Sequence, residues 1–82
     1  MTDRPAIPDH SVRKRSVAIH GHRTSLSLEG AFWEALTHIA GQRGLAISAL
    51  VSEIDDQRDP DGNLSSALRL HVLEWLKAGN RL

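Results

Sequence analysis

Arg23, Ser25 and Ser27 stand at alternate positions in the stretch HRTSLSLEGAFW, with Thr24, Leu26 and Leu28 between them. A period of two is that of a half-buried β-strand, so the first set shares one face and the second set the other. A guanidinium offers a forked donor that fits O6 and N7 of guanine, and a serine hydroxyl donates or accepts toward any base edge. The polar face is therefore equipped for recognition of base edges rather than for making bonds. Plain solvent exposure, with Ser27 serving as a helix cap, is the competing reading of the same serines.

Other chemistry-bearing residues are less specific. Arg13, Lys14 and Arg15 form a basic run, either a clamp on DNA phosphates, with about one unit of salt slope per phosphate neutralised, or a solvated tail. His20 and His22 share a strand face and, doubled by a two-fold axis, would gather four imidazoles. Without a carboxylate or Cys at ligand spacing beside them, polar surface is the better reading and no metal is expected. His38 and His71 flank apolar helical stripes and read as hydrogen-bonded boundary residues. The serines lack a positioned histidine and acid, so catalysis is not expected, nor is a cofactor. The acids between Glu53 and Asp61 lack both the ligand spacing and the closing Glu of a calcium loop and read as a solvated turn.

The chain has 82 residues, 40% of them apolar, which is enough for one small domain with a thin core. It contains no Cys, so neither disulfides nor thiolate metal sites can reinforce that core, and a second subunit is the remaining aid. No apolar run approaches the roughly 18 residues of a membrane span, and the N-terminal residues lack a signal peptide's apolar core. A soluble, cytoplasmic protein with no membrane partner is expected. Ten basic and ten acidic residues cancel. Basic residues nonetheless gather before residue 24 and acidic ones between 53 and 61, giving the molecule two ends of opposite sign or two ordinary solvated surfaces.

The elements that position these residues follow from period and punctuation. Residues 1–13 carry two prolines and no periodicity and read as a flexible arm; the domain proper spans 14–78, and 79–82 is a short tail. Residues 16–20 form a weak strand, and Gly21 joins it to the strand 24–28 as a tight hairpin or one long kinked strand. Ser27 caps a first helix in which Leu28, Phe32, Ala35, Leu36, Ile39 and Ala40 form the stripe, ending near Gly44. Ile47, Leu50, Val51 and Ile54 mark a second helix, and Asn63 caps a third over 63–78. The fold class is mainly α with a short β-ribbon.

A lone short strand leaves both edges unpaired and is not stable alone. Two chains related by a two-fold axis would pair their strands into an antiparallel ribbon, with Leu26, Leu28, Phe32, Leu36, Ile39, Leu50, Val51 and Ile54 forming the dimer core. The outer face would then carry doubled Arg23, Ser25 and Ser27, on a ribbon narrow enough for the major groove. Were residues 16–20 the ribbon instead, Ser16, Ala18 and His20 would face outward, a poorer reading head.

Residues 24–54 resemble the ribbon-helix-helix DNA-binding proteins, the group of the Arc-type and methionine-type repressors. The longer stretch from KRSVAIHGHRTSLSLE to NLSSALRLHVL, roughly residues 14–76, looks like a bacterial subgroup of that family. The resemblance implies an intertwined dimer with a third C-terminal helix, base reading by Arg23, Ser25 and Ser27, and a DNA phosphate at the N-terminus of the second helix. There Ile47 and Ser48 would present backbone N–H groups, with Ala46 in the cap position. Two functions are carried forward: a homodimeric transcriptional regulator bound to double-stranded DNA, and a dimeric interaction module, antitoxin-like or adaptor, that binds a protein through the third helix.

Overall fold

The computed structural model describes residues 10–82; residues 1–9, most of the expected arm 1–13, lie outside the described residues. Two strands, β1 (Val12–Ile19) and β2 (His22–Glu29), precede three helices, α1 (Gly30–Gln42), α2 (Ile47–Gln57) and α3 (Leu64–Lys77). The strands pair antiparallel, with Val12 opposite Glu29, Ser16 opposite Ser25 and Ile19 opposite His22. The two-chain ribbon expected from the sequence is therefore built here inside one chain. His20 and Gly21 close it with φ of 50° and 79°. A two-residue turn with both φ positive matches the twist of paired strands, and Gly21 takes that conformation without a Cβ penalty.

Pairing also moves two boundaries. The strand begins at Val12, so Val12 and Arg13 leave the expected arm and join the ladder. At its other end β2 runs to Glu29, which replaces Ser27 as the residue flanking α1. The ladder explains the shift: Arg13 faces Leu28, Val12 faces Glu29, and the Gly30 N–H donates to the Ser11 carbonyl at 3.0 Å, holding the chain extended past Ser27.

The helix ends follow local chemistry. Leu45 N–H donates to the Ala40 carbonyl at 2.8 Å and Gly44 N–H to that of Gly41 at 3.1 Å. With Gly44 at φ 68°, these two bonds close α1 in a Schellman turn. Asn63 caps α3 by accepting the Ser66 N–H at 3.1 Å. Ala46 leaves α2 without a side-chain cap.

The inner face of the ribbon, Val17, Ile19, Leu26 and Leu28, packs against all three helices. Leu28, Leu36, Ile39, Leu50, Val51 and Leu68 are fully buried. Of the residues expected to form a dimer core, all but the half-buried Phe32 are thus already covered within one chain. Val17 and Ile19 of β1 and Leu68 and Val72 of α3 complete the same buried cluster. Truncating Leu36 to Ala should cost about 2–5 kcal/mol and lower Tm by on the order of ten degrees or more, read by thermal denaturation; Leu73→Ala, on the exposed side of α3, should change Tm little.

Candidate nucleic-acid interface

One ribbon face is buried on helices, so the other must meet solvent. On β2 it presents Arg23, Ser25 and Ser27, all exposed; on β1 it presents Ala18, Ser16 and Lys14 directly across from them. The rows touch, since Arg23 Nη1 donates to Ser16 Oγ at 3.1 Å. The face carries two cations and no acid before its margin at Glu29. That carboxylate is bound to Arg69 at 2.9 Å, and its pKa is lowered by hydrogen bonding to its own backbone and then to Arg69.

The expected phosphate run divides between faces. Alternation leaves Lys14 outside and turns Arg13 and Arg15 to the helix side of the sheet. There the Arg15 guanidinium lies 5.1 Å from the centroid of the Trp33 ring, a cation–π contact, while its Nε is buried without a hydrogen-bond partner. Arg13 stays exposed. Ile47 and Ser48 begin α2 as half-buried residues behind the uncapped Ala46.

Three long-range tethers fix the ribbon to the helices. Ser65 Oγ donates to the Ser27 carbonyl at 2.7 Å, fastening the outer edge of β2 to the first turn of α3. The ion pair of Glu29 with Arg69, whose guanidinium also lies over the Phe32 ring, holds the base. At the tip, His20 Nε2 meets Asp56 Oδ1 at 2.7 Å. His20 belongs to the turn and engages α2, and so does not share a strand face with His22. Among the described residues no group of three or more His, Cys, Asp or Glu is placed to hold a metal. None of these tethers has a signal in the sequence, since each joins residues at least 36 positions apart.

Elsewhere, ion pairs organise the acidic end. Arg43 grips both carboxylate oxygens of Glu53 across the α1–α2 turn, holding the Glu53 pKa down. Arg58 bonds Asp55 at 2.6 Å and the Gly62 carbonyl at 2.5 Å, which folds the acidic turn around one guanidinium. His71 is lowered mainly by burial, and His38 meets Trp75 edge-on at 5.8 Å. No described helix is long and apolar enough to cross a membrane.

The hydrogen bond to Asp56, then the charges of Asp56 and Asp55, raise the His20 pKa above 6.5. A raised folded-state value means that the tether's contribution is full below the unfolded value and fades as pH climbs through the folded one. Both side chains are more than half exposed, so the contribution is small. An NMR titration should place the His20 midpoint above 6.5, and Asp56→Asn should bring it down; an unmoved midpoint would show the pair to be unformed in solution.

The family model described as "ribbon-helix-helix domain" matches residues 12–76, which takes in both strands and almost all of α3. No curated protein matches the chain. Among solved structures, the chain is similar to an uncharacterized protein from Bordetella pertussis Tohama I, with a TM-score of 0.74 and 33% sequence identity over 96% of this chain and 68% of that one. A match over most of the chain, joined to the observed order of ribbon and helices, shows that the protein belongs to the ribbon-helix-helix domain family.

Proposed function

We propose that this chain is a homodimeric, sequence-specific DNA-binding protein, a transcriptional regulator of the bacterial cytoplasm that lays the open face of its β-ribbon in the major groove. The observation that carries this reading is the acid-free row of Arg23, Ser25 and Ser27 on the exposed face of a two-stranded ribbon. Two strands about 4.8 Å apart fit a groove about 12 Å wide. Arg23 takes a guanine edge, and the serines adapt to either base type. Arg13 and the backbone N–H groups of Ile47 and Ser48 meet flanking phosphates. Ribbon-helix-helix domains typically pair into dimers, and this supports the second copy.

A second reading, a protein-interaction module, is favoured by one feature: Leu70, Leu73 and Leu76 stand exposed on α3 at 59%, 49% and 38%. The readings separate at Arg23. Selection from random duplex DNA at two salt concentrations should enrich a short motif with the unmodified protein. Arg23→Ala should lose that motif, with discrimination falling roughly 5- to 150-fold at the contacted base, while its circular dichroism stays unchanged. Absence of enrichment with the unmodified protein would favour the interaction module.

A further inference from the structure

The observed hairpin places beside Arg23, Ser25 and Ser27 a second row of side chains, contributed by β1 of the same chain. We propose that Lys14 and Ser16 are base-reading residues, so that one chain carries a complete reading ribbon of two unlike strands. This inference rests on the DNA-binding reading above and assigns its contacts further.

The register decides which β1 residues share the face. Lys14 lies opposite Ser27, Ser16 opposite Ser25 and Ala18 opposite Arg23. All six are exposed, whereas their neighbours Val17, Ile19, Leu26 and Leu28 are buried. In a hairpin closed by two residues, Ile19 and His22 form the hydrogen-bonded pair next to the turn, and such pairs alternate with non-hydrogen-bonded ones. The outward pairs are then the non-hydrogen-bonded ones, whose Cα atoms lie only about 4.5 Å apart. The Ser27 carbonyl fits this assignment, since it turns away from β1 to accept the Ser65 hydroxyl.

Close pairing means that whatever Ser25 and Ser27 approach, Ser16 and Lys14 approach as well. Arg23 Nη1 already reaches Ser16 Oγ. Lys14 brings an ammonium that donates to guanine O6 and N7, and Ser16 a hydroxyl that serves either base type. Arg13 and Arg15 point to the opposite side, so of the basic run Lys14 alone belongs to the reading face. A consequence follows for the target. The rows read Lys14, Ser16, Ala18 and Ser27, Ser25, Arg23, which are not equivalent under a two-fold rotation, so the element read by one hairpin is not palindromic. A dimer would read two separate copies of it, whereas a ribbon shared between chains reads one element centred on the dimer axis.

The test is selection from random duplex DNA with the full chain, its Lys14→Gln and Ser16→Ala variants, and Lys77→Gln as a control, since Lys77 is an exposed cation on α3. Circular dichroism checks that each stays folded. The expected result for the unmodified protein is a half-site that is not itself palindromic, found as two separated copies related by the dimer's two-fold axis, with preference falling about tenfold at one base position of the half-site in Lys14→Gln and relaxing at a different one in Ser16→Ala. Lys77→Gln should keep the element intact. An unchanged element in both ribbon variants, with only a uniform loss of affinity for Lys14→Gln, would overturn the assignment and leave DNA binding standing. No enrichment by the unmodified protein would overturn DNA binding, and the assignment with it.

Discussion

Backbone pairing between β1 and β2 is the constraint on which the remainder of the structure depends. An eight-residue strand beside a helix has two rows of N–H and C=O groups, and it persists only where at least one row is satisfied. Val12–Ile19 meets that need within the chain, through a turn in which His20 and Gly21 both take positive φ. Once the ladder exists, alternation sorts every side chain along it. Val17, Ile19, Leu26 and Leu28 gain a common apolar face, and α1, α2 and α3 assemble over it.

The polar contacts at the margins then fix the orientation of that assembly. His20 with Asp56 holds the tip, Ser65 with the Ser27 carbonyl holds an edge, and Glu29 with Arg69 holds the base. Each is exposed or partly so and individually weak. Their joint effect is to seat the ribbon against the helices both at its tip and at its base, which leaves its other face bare and in a defined orientation. A recognition surface gains from such order, because fewer degrees of freedom remain to be lost on binding.

Short-range signals were the legible ones. The alternation from Arg23 to Leu28 placed β2 and its faces, the apolar spacing placed the three helices, and Gly44 and Asn63 marked the end of the first and the start of the third. Less legible was the partner of β2. Val12, Arg13, Lys14 and Arg15 contain a single apolar residue, because Arg15 occupies an inward position through its contact with Trp33 where an aliphatic residue would have signalled burial. The cap shift from Ser27 to Glu29 has the same origin, since it follows from the ladder and not from the local preference of a serine. The covering of Leu36, Ile39 and Leu50 within one chain was likewise hidden, because it requires knowing where α3 lies.

The origin of the ribbon within one chain is tested most directly by isotope-filtered nuclear Overhauser spectroscopy on a mixture of labelled and unlabelled protein. Hα–Hα contacts between Ser16 and Ser25, and between Lys14 and Ser27, are expected to arise within a single labelled chain. Contacts between these residues seen only across labelled and unlabelled chains would contradict an intrachain ribbon, since the strands would then be exchanged between copies.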